Sequence, residues 1–391
     1  MSGAALGADA RLTELLERRA TASERLFSAE ADAIARLCHA LAQRFARGGR
    51  LLAVGTSPQD RSDARHVAVE FVHPVIVGKR ALPALALVRD GGDPLAQLAS
   101  LAEPDDTVIA FGPQADAVAL ARDRGCLTIA FGDLGAEWCF DPRDDDPFVR
   151  QELAETLYHV VWELVHVFLD HLAGSAAGAG ASGFLYPFLG YAPRDLEPVL
   201  EDVRASVLMK ARETSELRAQ TLREGAGELA SAAAALRSAF ETGGKLLAFG
   251  NGGSATDAMD IVADFRDAPH GWPSRPALDL TEDSAILTAL ANDVGTEVLF
   301  QRQVIAYGGE RDVALAISTS GGSANIVAAL VEARRRGLAT IALVGYGGGR
   351  IAADRLADHV VVTRSEHVPR IQEAQATAYH VLRELVEEPP A

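Results

Sequence analysis

The chain has 391 residues, and at roughly 150 residues per domain it calls for two domains, or three, and not one. A composition that is 48% hydrophobic, 23% charged and 6% aromatic excludes a disordered or fibrous chain. With 37 basic against 54 acidic residues the formal charge is −17, which argues against a nucleic-acid binder and leaves any anionic ligand to a local site.

Along the chain, the first residues mix Asp9, Glu14 and Glu17 with several arginines and have no apolar core, so no signal peptide is expected. No window approaches the ~18 uninterrupted apolar residues of a bilayer span. Cys38, Cys126 and Cys139 lie too far apart for a disulfide framework or a zinc ribbon, which points to a reducing, cytoplasmic setting. Residues 50–55 (RLLAVG) read as a short buried strand ending at a glycine turn, and residues 63–66 (DARH) open a helix. A second strand follows at 106–110 (DTVIA), then a helix end, a glycine stop and a third strand at 121–132 (ARDRGCLTIAFG). An amphipathic helix carries Gln151 and His159. Residues 173–183 (AGSAAGAGASG) are a low-complexity linker, and 195–240 hold long helical patterns that would cap the second half or form a dimer interface.

The pattern then repeats. Residues 245–250 (KLLAFG), 257–260 (DAMD), 312–316 (DVALA), 333–345 (ARRRGLATIALVG) and the pair Gln372 and His380 match the first series in order. The offset is 194 residues at Asp63 and Asp257 and grows to 221 at Gln151 and Gln372. Strands alternating with helices predict α/β architecture: two αβα sandwiches in tandem, each with a parallel flavodoxin-like sheet, joined by a helical connector. The expected domains are 1–172 and 195–391, with 173–194 as linker.

Two loops of the second half carry the chemistry. Gly250-Asn251-Gly252-Gly253-Ser254 lies between a strand and a helix, where glycines allow close approach to a ligand and the helix end attracts an anion. Residues 317–325 (ISTSGGSAN) again follow a strand and precede a helix, packing hydroxyls into a phosphate cradle that needs no basic side chain. With GNGGSATDAM at 250–259, ALANDVGT at 289–296 and RIQEAQATAYH at 370–380, the half from about residue 215 onward closely resembles the phosphoheptose isomerases of the SIS (sugar isomerase) fold. The resemblance implies interconversion of sedoheptulose 7-phosphate and a heptose 7-phosphate. It implies that Ser318, Thr319, Ser320 and Ser323 hold phosphate, and that Asn251, Gly252, Gly253, Ser254, Asp293 and Gln372 hold the sugar. It further implies proton transfer by a carboxylate and by His380.

Where that family has His-x-x-x-Glu after the first loop, the second half has Asp260 and Asp264, each a methylene shorter than glutamate. The first half shows the opposite pattern. His66 and Glu70 restore the spacing, and Gln151 and His159 repeat Gln-x7-His, so His66, Glu70, Gln151 and His159 form the expected set for zinc or another divalent ion. Its phosphate loops are gone: residues 55–59 read GTSPQ and 112–115 read GPQA, where Pro113 removes an amide donor. Trp138, Trp162 and Trp272 read as packing residues.

The leading expectation is a tandem sugar-phosphate isomerase with an enediol mechanism, in which Glu70 or Asp264 takes a proton and His159 or His380 returns it. No nucleotide cofactor, membrane or nucleic-acid partner is expected, and a homo-oligomer is. The competing readings are a non-catalytic sugar-phosphate binder or regulator, and an isomerase of a hexose or amino-sugar phosphate.

Overall fold

The computed structural model describes residues 3–75, 78–88, 92–172, 196–268 and 271–387. The linker expected at 173–194 lies outside the described residues. The chain forms two compact units, one of residues 20–213 and one of residues 1–19 with 214–391; they are called here the N-terminal and C-terminal units.

The elements of the N-terminal unit are α1 (Gly3–Ala46, from residue 20), β1 (Leu51–Val54), α2 (Pro58–Val72), β2 (Ala84–Leu87), α3 (Pro94–Leu101), β3 (Thr107–Ala110), α4 (Ala115–Asp123), β4 (Leu127–Ala130), β5 (Trp138–Cys139), α5 (Pro147–Leu172) and the start of α6 (Leu196–Glu241). The sheet order is β2-β1-β3-β4-β5, all parallel. Alternate residues of each strand feed opposite layers. Leu51, Ala53, Ile109 and Ile129 pack with α1, α2 and α5, while Leu52, Val54 and Val108 pack with α3 and α4.

The C-terminal unit adds to the remainder of α1 and α6 the elements β6 (Leu246–Phe249), α7 (Gly253–Arg266), β7 (Ala277–Asp279), α8 (Ser284–Asp293), α9 (Leu299–Tyr307), β8 (Val313–Ser318), α10 (Ala324–Arg335), β9 (Ala339–Gly345), α11 (Gly349–Ala353), β10 (His359–Thr363) and α12 (Val368–Glu387). Its five parallel strands run β7-β6-β8-β9-β10, the topology of the first sheet again. Leu246, Ala248, Leu315 and Leu343 face α6, α7 and α12; Leu247, Phe249, Ala316 and Val344 face α9 and α10.

The helix α12 is buried on almost every side, yet it carries Gln372, Glu373, Gln375, His380, Arg383 and Glu384 in that buried surface. Burying polar groups costs free energy unless they are paired, and ion pairs of Glu373 with Arg370, of Glu384 with Arg19 and of Arg383 with Glu387 offset part of that cost. Among the described residues no helix is long and apolar enough to cross a membrane.

Candidate active site

In the C-terminal unit the chain leaves β6 to build β7 on one side, then crosses to place β8 on the other. Beyond the strand ends at such a reversal, two loops diverge and leave a crevice suited to a ligand. These are the two loops picked out by composition. Asn251 and Asn325 tie them together with a reciprocal amide pair, Nδ2 to Oδ1 at 3.0 Å in one direction and 2.8 Å in the other.

Both helices behind the loops start without a side-chain cap. Gly252 precedes α7 with φ +58° and ψ −126°, a conformation that favours glycine, and Ser323 precedes α10. The Ala255 N–H donates to the Gly252 carbonyl at 2.9 Å and the Ile326 N–H to Asn325 Oδ1 at 3.0 Å, so it is the N–H groups before them, at the first two positions of each helix, that can meet an anion. Ser318, buried at the end of β8, accepts a hydrogen bond from the Gly321 N–H at 3.1 Å and bends the loop. The Ser320 and Ser323 hydroxyl oxygens lie 3.5 Å apart, and Ser320 Oγ accepts from the Gly322 N–H at 3.3 Å. Gly321 has φ +60°, and a Cβ there would stand 2.3 Å from the Gly348 carbonyl oxygen, so the loop rests directly on the turn before α11. Thr319 is half-buried, Gly253 and Ser254 are buried at the start of α7, and Asn251, Gly252 and Ser320 are exposed.

The corresponding crevice of the N-terminal unit is closed by its own side chains. Ser57 Oγ accepts from the Asp60 N–H at 3.1 Å, and Asp60 Oδ2 accepts from the Ser57 N–H at 3.2 Å, a reciprocal cap on α2. The Asp60 carboxylate packs against Gly112 so closely that a Cβ there would lie 2.2 Å from Oδ2. Gln114 donates to Thr56 Oγ1 at 2.6 Å across the two loops. A carboxylate held at a helix N-terminus satisfies its positive end and repels a phosphate.

Each unit holds a buried cluster of carboxylate and imidazole groups on its site helices. In the N-terminal unit His66, Glu70 and His159 each bring a ligand atom within 4.8 Å of the others. His66 Nε2 is 3.3 Å from His159 Nε2 and 4.0 Å from Glu70 Oε1. Two nitrogens on a tetrahedral zinc with bonds of 2.0–2.1 Å are themselves about 3.3 Å apart, so the separation of the two imidazoles matches such an ion, while Glu70 would have to move closer to join them. Burial, then the neighbouring His159, holds the His66 imidazole well below its ordinary pKa, which keeps it neutral and able to ligate. Gln151 is half-buried on α5, two turns before His159.

In the C-terminal unit Asp260, Asp264 and His380 meet in the same way. His380 Nε2 lies 3.5 Å from Asp260 Oδ2 and 3.5 Å from Asp264 Oδ2. Gln372 is buried two turns before His380 on α12, and Asp293 is exposed at the end of α8, where it accepts from Asn292 Nδ2 at 2.7 Å.

Some participants were passed over in the sequence. Tyr379 donates to Asp260 Oδ2 at 2.7 Å, and Tyr158 donates to Asp63 Oδ1 at 3.4 Å. The signal for them is there, since both Gln-x7-His motifs end in Tyr-His. Asn325 stood inside a motif already quoted, and Ser57 with Asp60 has capping-box spacing. Nothing in the linear pattern marks Arg383.

Comparison with known proteins accords with this geometry. The SIS domain family model matches residues 211–345. A phosphoheptose isomerase of Nitratidesulfovibrio vulgaris is 39% identical over 188 residues, 48% of this chain and 89% of that protein. Two solved structures share the fold across both units. The C-terminal domain of a glucosamine-fructose-6-phosphate aminotransferase from Francisella tularensis has TM-score 0.60 at 9% identity, covering 96% of this chain and 94% of the other. A tagatose-6-phosphate ketose/aldose isomerase from Escherichia coli has TM-score 0.57 at 13% identity, covering 97% and 94%. The chain carries a SIS domain in its C-terminal unit and belongs through it to the family that includes the phosphoheptose isomerases.

Proposed function

We propose that the chain is a sugar-phosphate isomerase acting on a heptose phosphate such as sedoheptulose 7-phosphate. The observation that carries this reading is the conjunction, within one unit, of an uncapped two-loop cradle and a buried carboxylate–imidazole cluster. In it the phosphate docks on Ser318, Thr319, Ser320 and Ser323, with the N–H groups of α10 completing the cradle. Asn251, Gly252, Gly253, Ser254, Asp293 and Gln372 hold the sugar hydroxyls.

Isomerisation needs one proton removed from the carbon beside the carbonyl and one delivered to the neighbouring carbon of the enediol. Asp264 is the base and His380 the acid of the C-terminal unit, while Glu70 and His159 are their counterparts in the N-terminal one. His66, Glu70, Gln151 and His159 would hold zinc or a similar divalent ion, which when bound supplies positive charge that polarises an oxygen ligand. Burial of both clusters excludes water and strengthens each charge interaction within them.

The competing reading is a sugar-phosphate binder without turnover, and the Asp residues at 260 and 264 favour it because a shortened acid loses reach. Deuterium incorporation from solvent and ketose–aldose interconversion, followed with sedoheptulose 7-phosphate, separate the two. Turnover lost in Asp264→Asn, His380→Ala or Glu70→Gln identifies the working carboxylate and imidazole. Tight binding with neither exchange nor turnover in the wild type, with zinc or other divalent ions supplied, rejects the enzyme.

A further inference from the structure

We propose that Arg383 is a positioning residue that fixes Asp264 against His380; this rests on the acid–base pair just assigned. Arg383 lies three residues after His380 on α12 and is fully buried. Its Nε donates to the main-chain oxygen of Asp264 at 3.1 Å. Its Nη1 donates to Glu387 Oε1 at 2.6 Å, and Nη2 reaches the Pro273 carbonyl at 3.4 Å. The guanidinium carbon stands 4.7 Å from the Phe265 ring centroid and 4.9 Å from that of Trp272. One helix therefore grips Asp264 twice: His380 meets its carboxylate at 3.5 Å, and Arg383, a turn later, holds its backbone.

The other unit shows what this adds. Three residues after His159 stands Trp162, and Lys79 Nζ lies 5.2 Å from its ring. Lys79 comes from the segment between α2 and β2, as Trp272 comes from the segment between α7 and β7. The cation–aromatic contact is kept while cation and ring have changed places. The exchange removes the hydrogen-bonding fork, because the Trp162 Nε1–H has no partner among the described residues. The unit with the longer carboxylate, Glu70, thus has no guanidinium on its site helix at this position, and the unit with the shorter Asp264 has one. An acid one methylene short tolerates less displacement before proton transfer fails, and an anchored backbone limits that displacement.

The test uses the full chain with labelled histidine, the His380 signal being identified by its loss in His380→Gln. Arg383→Met is expected to move the titration midpoint of His380 by about half a unit or more, the size expected when a neighbouring carboxylate shifts. It is also expected to lower kcat about tenfold with KM within about twofold, as for an interaction used in the transition state. Arg383→Lys keeps the charge and regains part of both. In an Asp264→Asn background, where no turnover remains to compare, Arg383→Met leaves the His380 midpoint unchanged. A midpoint unaltered in the wild-type background, or altered equally in the Asp264→Asn background, overturns the proposal. Should Arg383→Met fail to fold, Arg383→Lys carries the same comparison. A wild type with no turnover rejects the isomerase reading alone, since the titration still decides whether Arg383 acts through Asp264.

Discussion

Asp279 ends β7 beside the first site loop, with its side chain buried. Oδ1 accepts from the Thr281 N–H at 2.7 Å and from Thr281 Oγ1 at 2.6 Å, while Oδ2 is buried with no hydrogen-bond partner among the described residues. Desolvation raises its pKa from 3.8 to about 6, against the two hydrogen bonds from Thr281 that lower it. The folded state therefore binds this proton more tightly than the unfolded chain, and stability rises as pH falls from above 6 towards 4. Above that window the charged carboxylate costs about 3 kcal/mol, the equivalent of a shift of about two units. Asp279→Asn, which keeps an acceptor for Thr281, is expected to raise the melting temperature at pH 8 and to leave it nearly unchanged at pH 4. Equal melting of the two proteins at pH 8 contradicts the assignment.

At the scale of elements, the difference between the crevices lies in how three helices begin. Ser57 and Asp60 satisfy the start of α2, whereas α7 and α10 begin at Gly252 and Ser323 without side-chain caps. Replacing Ser323 by Asp transfers to α10 the device that closes α2. An N-cap aspartate stabilises a helix by about 1 kcal/mol over an uncapped start, and its charge opposes a bound phosphate. Ser323→Asp should melt no lower than the wild type while its affinity for the sugar phosphate, measured by calorimetry, falls more than about tenfold. Lower stability together with unchanged affinity would remove α10 from the cradle.

The three central strands of each sheet and both loops were legible in the sequence, because short apolar runs near glycine turns leave few alternatives to a buried parallel strand, whereas β2, β5, β7 and β10 went unmarked. The repeat supplied the topology, and the His66–Glu70 spacing supplied two members of one cluster. The loss of phosphate chemistry in the first half was read from Pro113; the structure adds the Asp60 carboxylate against Gly112, a contact between loops that linear spacing does not specify. Arg383 was invisible for the same reason, since an arginine in an amphipathic pattern reads as solvated until its partners Asp264, Phe265 and Trp272 fold around it.

For the whole molecule, a formal charge of −17 sets the sign of its long-range interaction with an anionic substrate. On the proposed reading a phosphate would be repelled at distance and bound at contact, by amides and hydroxyls whose residues, 251–254 and 318–323, carry no formal charge. Salt screens the first effect over a Debye length of about 10 Å at 0.1 M and leaves the short hydrogen bonds nearly untouched. Raising sodium chloride from about 20 to 300 mM should therefore leave KM for the sugar phosphate within about twofold of its starting value, or lower it. A site built on lysine or arginine behaves in the opposite sense, losing affinity as its ion pairs are screened. Steady-state kinetics across that salt range, with sodium phosphate kept out of the buffer, distinguish the two; a rise in KM of about tenfold would show that a cationic side chain, and not the uncapped start of α10, carries the phosphate.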